Sequence, residues 1–452
     1  MVMVMAPEMA VAMAMPEAMA MPMTVTVAMA VTTAGESRGW DRQRCRGKRE
    51  SADGGRDDLL DANHGVLLTC SAGIALRCCN LKAPILVRCD QHHPAGMVGH
   101  RVTSDDLPNL NRVPKASTMR IGELFILGFF GNTVPDWLKE FAARYGLGGV
   151  ILFDYSCRTQ AYDNNIESPE QVQRLCAEIS ALPSGPMVFI DQEGGLVRRL
   201  KESRGFAPLP SAKEFNHLAP DEKRAILAAS FAEMRRLGIH YDFAPVIDVD
   251  YNPDNPNIGR IKRSYSADIA EVKGNALLAS EVARAQRIGL CLKHFPGIGG
   301  AVVDSHHEFM DISDALRAEQ EELFYSLAPK MFGNAVLVSH AIVRQWDQEH
   351  PMTLSATGLG RLRGRLPDTL LITDDMQMQG LQKALGTRQA SLQSLKAGMD
   401  MLCIGNNLFD QEQEMIGTAE YIRQSLRDGI LSSSAIEQSS ARIVQRKALL
   451  TA

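Results

Sequence analysis

From Met119 onward the chain repeats one pattern, a short apolar run followed by a longer stretch with helical spacing. The runs are Leu124–Phe130, Gly149–Phe153, Met187–Ile190, Tyr241–Val246, Gly289–Leu292, Ala335–Val338, Thr369–Ile372 and Met399–Ile404. Runs this short, bounded by polar residues or glycine, fit strands buried on both faces. Between them, Pro169–Leu182 follows a Ser168 cap and carries Glu170 near its start. Asp221–Leu237 places Ile226, Leu227, Ala229, Phe231, Met234 and Leu237 on a helical period. Asp268–Arg287 and Ala315–Leu327 read the same way, and Gln411–Leu426 and Ser434–Leu450 read as closing helices. Strand alternating with helix predicts an α/β fold with a parallel sheet under helices. Eight such units predict a closed (β/α)8 barrel of the TIM type rather than an open sheet.

The first part of the chain lacks this pattern. Met1–Thr33 is built almost wholly from Met, Ala, Val, Pro and Thr, and Arg38–Arg56 is strongly charged. Pro7, Pro16 and Pro22 interrupt any helix. No Lys or Arg precedes Arg38, so the basic flank of a secretory leader is missing, and Glu8 and Glu17 disfavour an organelle-targeting peptide. The expectation is a low-complexity, disordered extension over 1–115 and a single catalytic barrel over 119–452. Translation beginning at Met119 is the accompanying expectation.

Composition narrows the function classes. A formal net charge of -5 offers no footprint for nucleic acid. No apolar run reaches membrane-spanning length. Cys45, Cys70, Cys78, Cys79 and Cys89 fall in the extension, and the remaining cysteines show no disulfide or zinc spacing, which fits free thiols in a reducing compartment. Neither GxGxxG after the first strand nor GxxxxGK[ST] is present, and no HExxH or His/Cys cluster appears, so no cofactor and no metal are expected.

Barrel active sites lie in the loops that follow the strands. Asp191 follows MVFI, Lys293-His294 follow GLCL, Ser339-His340 follow AVLV, and Asp374-Asp375 follow LLIT. Of the two adjacent aspartates, one suits a helix cap and the other a nucleophile or charge stabiliser; Asp374, closer to the strand, is assigned to chemistry. Asp304 and His306 are two apart and suit a dyad in which the carboxylate orients the ring, although the same spacing occurs in plain surface loops. Asp191 and Glu193 precede a glycine turn and Arg198-Arg199, which fits either recognition of several hydroxyls or an ion-paired loop. The irregular Asn252–Tyr265 segment carries Arg260, Lys262 and Arg263, which bind an anion or sugar hydroxyls or are simply solvated. Lys293 after a buried strand suits a donor to substrate oxygens. The glycine-rich piece between His294 and Asp304 reads as a hinge.

Together these segments resemble glycoside hydrolase family 3, in particular its single-domain β-N-acetylglucosaminidase branch. IDQEGGLVRRL, FAPVIDV, NPNIGRIKRSY, KHFPG, DSH, TDDM and AGMDML each look like a family block, in the family's order, from about Met119 to the C-terminus. The resemblance implies a (β/α)8 barrel and retaining hydrolysis of terminal β-linked N-acetylglucosamine. It makes Asp374 the nucleophile, His306 the acid/base and Asp304 its partner, with Asp191, Arg199, Arg263, Lys293 and His294 binding the sugar. Ile298 stands where the family usually has a histidine, and Leu196 where it has an arginine. The implied partner is a small N-acetylglucosaminide, with no nucleic acid and no membrane, and the implied setting is cytoplasmic recycling of cell-wall fragments. A family 3 β-glucosidase, an N-acetylglucosaminide phosphorylase and a non-catalytic sugar-binding barrel remain as alternatives.

Overall fold

The computed structural model describes residues 120–302 and 309–451. The expected extension over 1–115 lies outside them, as do Asp304 and His306. Eight strands form one parallel sheet: β1 (Phe125–Leu127), β2 (Gly149–Leu152), β3 (Met187–Ile190), β4 (Tyr241–Asp242), β5 (Gly289–Phe295), β6 (Ala335–Val338), β7 (Leu370–Thr373) and β8 (Leu402–Ile404). Each pairs with the next along the chain as far as β7, and β8 pairs with β1. The last gap is closed by a parallel bridge between Ile372 and Met401, where the Met401 N–H donates to Leu371 O and the Thr373 N–H to Met401 O, both at 3.1 Å. The sheet therefore closes on itself, and the barrel expected from the sequence is the observed architecture.

Every residue of these eight strands is buried, with barrel interior on one side and helices on the other. That is why the strands read as continuous apolar runs instead of alternating ones. The helices between them start where the sequence places oxygen-bearing caps. Ser168 accepts from the Gln171 N–H ahead of Pro169–Ser180, and Asp268 accepts from the Ala270 N–H ahead of Ile269–Gln286. Ser211 and Glu214 form a reciprocal capping box at the short helix Ala212–Asn216. Asp136–Tyr145, Ala356–Arg365 and Gly386–Ala397 add helices that the apolar spacing alone did not single out. No helix among the described residues is long and apolar enough to cross a membrane.

Two details differ from the sequence reading. The fifth strand does not stop at Leu292: β5 runs to Phe295, so Lys293 and His294 are its last turns of pleat rather than loop residues. Its register against β6 shifts between Leu292 and Phe295, which lets two polar side chains occupy a buried strand tip. The glycine turn after β3 is the tip of a small antiparallel hairpin, Gln192–Gly194 with Val197–Arg198. Gly194 and Gly195 there have φ of 100° and 59°, a region that side-chain-bearing residues enter at a cost.

The opposite end of the barrel is fastened by Asp400, which precedes β8 and is fully buried. It accepts from Arg363 Nη2 (2.7 Å), Arg442 Nη1 (2.9 Å), Ser439 Oγ (2.8 Å) and the Leu371 N–H (2.9 Å). This one carboxylate joins Ala356–Arg365, β7 and the final helix Ser433–Thr451. Asp400→Ala strips two cations and a hydroxyl of their partner and should cost about 3 kcal/mol in urea unfolding. An unchanged unfolding midpoint would show that the final helix is held by other contacts.

Candidate active site

The polar groups gather at the C-terminal ends of β3, β5 and β7. At their centre is Lys293, whose side chain is only 3% exposed. Its Nζ donates to Asp191 Oδ1 at 2.8 Å and lies 2.5 Å from Glu193 Oε1. Asp191 sits just beyond β3 and accepts a second hydrogen bond from Arg199 Nη2 at 3.2 Å. Glu193, on the hairpin, takes a two-pronged contact from Arg263, with Nε at 2.7 Å and Nη2 at 2.8 Å. The hairpin explains the i to i+8 reach of Arg199: Gln192 Oε1 accepts from the N–H groups of Arg199 and Leu200 and fixes the returning strand.

Electrostatics follow from these contacts. Burial pushes the Glu193 carboxyl up, but Arg263 and Lys293 outweigh it and bring it down to about 2. Burial likewise opposes ionisation of Asp191, and Lys293 and Arg199 overcome it, holding that carboxyl well below the usual range. Burial disfavours the Lys293 charge, yet Asp191 and Glu193 keep its pKa above the ordinary value. Asp191, Glu193, Lys293 and Arg263 therefore stay ionised through the neutral range.

His294 extends the network. Arg263 Nη2 lies 2.9 Å from His294 Nε2 and can only donate, so that nitrogen accepts and the ring proton sits on Nδ1. Nδ1–H then donates to Asp248 Oδ2 at 2.7 Å. Asp248 also accepts from the His294 N–H (3.1 Å) and, through Oδ1, from the Ile298 N–H (2.7 Å). Ile298 is itself buried, and its carbonyl accepts from Asn255 Nδ2 at 2.7 Å. The expected hinge is thus a clamped turn: Asp248 pins it from one side and Asn255 from the other. The isoleucine joins the apolar cluster of Val249, Phe295 and Ala301.

Asp374 is partly buried just past β7. Its N–H donates to Val338 O (2.9 Å), and its Oδ1 accepts from the Asp375 N–H (2.9 Å). Asp375 has cap-like contacts: its Oδ1 accepts from the N–H groups of Gln377 (2.9 Å) and Gly405 (3.2 Å) and turns the chain. His340, after β6, supports this turn. Its Nε2–H donates to the Asp375 carbonyl (2.9 Å) while Nδ1 meets Thr353 Oγ1 (2.6 Å).

The structure thus brings Asp191, Arg199, Arg263, Lys293 and His294 into one network with Asp374 at the same mouth. Of the cations on the Asn252–Tyr265 segment, Arg263 turns inward, while Lys262 pairs at the surface with Glu214. The sequence marks Glu193 and His340 at strand ends without giving either a definite role, and Asp248 is passed over. Its available signal was an Asp within the apolar FAPVIDV run. Among the described residues no three His, Cys, Asp or Glu side chains are grouped to hold a metal ion.

Residues 118–446 match the glycosyl hydrolase family 3 N terminal domain. The chain belongs to glycosyl hydrolase family 3. Among family relatives it is similar to the beta-hexosaminidase of Idiomarina loihiensis, at 30% identity over 325 residues, covering 68% of this chain and 92% of that one. It is also similar to the beta-hexosaminidase LpqI of Mycobacterium tuberculosis, at 32% identity over 60% of this chain and 71% of that protein. Among solved family 3 structures, a β-N-acetylglucosaminidase from Paenibacillus sp. FPU-7 superposes with a TM-score of 0.65 at 26% identity, covering 74% of this chain. This chain spans 62% of that enzyme's length. The LpqI structure gives a TM-score of 0.61 at 26% identity over 73% of this chain and 92% of that one.

The pairing of Glu193 in this family 3 barrel has a pH signature. Its folded carboxyl is depressed from 4.5 to about 2, so its ion pairs add stability that is complete above 4.5 and lost as pH falls through about 2. Glu193→Gln should therefore lower unfolding stability by about 3 kcal/mol at neutral pH. The gap to the natural sequence should narrow as acid approaches pH ~2. Urea titrations at several pH values measure it, and a gap that stays constant across the window contradicts the assignment.

Proposed function

We propose that this chain is a retaining β-N-acetylhexosaminidase that removes terminal β-linked N-acetylglucosamine from small glycans. One observation carries the reading: the Lys293 network lies at the same barrel mouth as a carboxylate, Asp374, that is left without a cationic partner among the described residues. Asp191, Arg199, Arg263, Lys293 and His294 present donors and acceptors in fixed orientations, which suits several hydroxyls of one sugar ring. The names of the family relatives support the N-acetylhexosaminide class. Cell-wall fragments carrying N-acetylglucosamine, turned over in the cytoplasm, are the setting proposed with it.

In the proposed mechanism Asp374 attacks the anomeric carbon while His306, oriented by Asp304, protonates the departing glycosidic oxygen. A glycosyl ester forms on Asp374. His306 then takes a proton from water, which opens the ester with net retention. The ion-paired network holds the sugar through both steps without itself exchanging protons, because each of its charges is stabilised by an opposite one.

Two substitutions test the roles. Asp374→Ala should abolish turnover of an aryl N-acetyl-β-glucosaminide while the circular dichroism spectrum stays native, and near-normal turnover removes Asp374 from the role. His306→Ala should slow a substrate with a poor leaving group by ~10²–10⁴-fold, and one with an activated leaving group far less in the first step. Equal slowing of both, under conditions where glycosylation limits the rate, excludes His306 as the acid. The same assays with and without inorganic phosphate separate hydrolysis from phosphorolysis, and an aryl glucoside in place of the N-acetylglucosaminide separates the β-glucosidase reading.

A further inference from the structure

Where β5 leaves the ladder beside the segment that follows β4, a side chain takes its place. Val246 still bridges to Lys293, and the Ile247 N–H donates to Lys293 O at 2.9 Å. There the ladder stops, because β5 ends at Phe295 and Pro296 has no N–H to offer. The next groups along, Ile247 O and the Val249 N–H, are met by Gln320 instead. Its Oε1 accepts from the Val249 N–H at 2.8 Å, and its Nε2 donates to Ile247 O at 3.0 Å. An N–H only donates and a carbonyl only accepts, so the amide has one orientation. Gln320 is 2% exposed, and its amide does for this segment what a peptide group of a neighbouring strand would do. The residue between the two fastened groups is Asp248, whose carboxylate holds His294 Nδ1–H and the turn at Ile298.

We propose that Gln320 is a positioning residue for His294 that acts through Asp248: by fastening the main chain on both sides of Asp248, its amide holds the carboxylate against Nδ1 and so keeps Nε2 an acceptor for Arg263. The surroundings agree. Gln320 stands on the helix Ala318–Leu327, and neighbours on the same helical face are seated on both segments that it joins. Phe324, four positions on, packs edge-on against Phe295 of β5 with ring centres 5.3 Å apart. Arg317, three positions back, lies over the ring of Tyr251 at 3.9 Å. The stem of Gln320 also needs Gly297: that residue has φ of 117°, and a Cβ on it would collide with Cγ of Gln320. Without the amide, Ile247 O and the Val249 N–H lose their partner and the Asp248 carboxylate is free to swing away from the ring. The proton of His294 is then no longer confined to Nδ1, and the contact between Arg263 and His294 loosens with it.

The test compares the full chain with its Gln320→Met, Asp248→Asn and doubly substituted forms. Methionine keeps the stem over Gly297 and removes both hydrogen bonds. Two readouts are taken: nitrogen NMR of the His294 ring, assigned by its loss in His294→Gln, and kcat/KM on an aryl N-acetyl-β-glucosaminide. In the natural protein the ring should carry its proton on Nδ1. Gln320→Met, with native circular dichroism, should lose that signature and lower kcat/KM by ~10–10²-fold, the scale of a displaced binding group. In the Asp248→Asn background the same substitution should change kcat/KM by less than about twofold, because the group it acts through is already gone. In an active protein, a ring signal or a kcat/KM that Gln320→Met leaves unchanged, or losses that multiply in the double variant, overturns the proposal. If Gln320→Met does not fold, Gln320→Asn, whose amide is one methylene too short to reach both backbone groups, takes its place under the same criteria. The effect on turnover rests on the proposed glycosidase activity, whereas the effect on the ring does not. A ring signature lost in Gln320→Met, in a protein without glycosidase turnover, upholds the positioning role and rejects that activity.

Discussion

A single buried ammonium, Lys293, is the constraint on which the mouth of this barrel depends. An unpaired charge in such a place costs several kcal/mol, so it persists only if its surroundings repay the loss of water. Asp191 and Glu193 do so from two sides, and each of them is in turn held by an arginine. The result is a chain of alternating charges running from Arg199 to Arg263 that no member can leave without stranding another. Such a network adds little to net stability compared with apolar packing of the same volume. What it provides is geometry: five polar side chains from β3, its hairpin, β5 and the loop after β4 have one mutual arrangement.

That rigidity extends outward by hydrogen bonds rather than charges. Arg263 fixes the His294 tautomer, His294 addresses Asp248, and Asp248 holds the turn at Ile298. The turn is thereby a continuation of the barrel wall up to Ala301. On the other side, Thr373 Oγ1 accepts from the Cys403 N–H at 2.9 Å where the barrel closes, and the Asp374-Asp375 turn rests on His340. The proposed sugar-binding network and the proposed nucleophile thus stand on separate strands whose spacing the closed sheet sets.

Much of this was legible in the sequence because buried parallel strands leave a strong signal. All eight apolar runs coincide with barrel strands, and the caps at Ser168 and Asp268 mark real helix starts. The five sugar-binding candidates came from position after a strand together with resemblance to family motifs, and the fold brings them together. What escaped was pairing across the barrel. Glu193 reads as one acid of a loop shared with Arg198-Arg199, and only the fold sets it against Arg263, seventy positions on. Asp248 reads as a polar break in an apolar run until His294 and Ile298 are seen to converge on it. The end of β5 was misread because Lys and His are poor strand formers, and only the ion pairs available in three dimensions make them acceptable there.

In the proposed mechanism one carboxylate, Asp374, does the chemistry while its neighbours hold the substrate and the chain. The most direct test is to trap the intermediate with an N-acetyl-5-fluoroglucosaminyl fluoride, whose good leaving group favours formation of the ester and whose ring fluorine slows its breakdown. Mass spectrometry of the digested protein should then find the sugar on the peptide containing Thr373–Gln377, at Asp374. A label on Asp375 or on any other carboxylate, or steady turnover with no labelled peptide, would contradict the account.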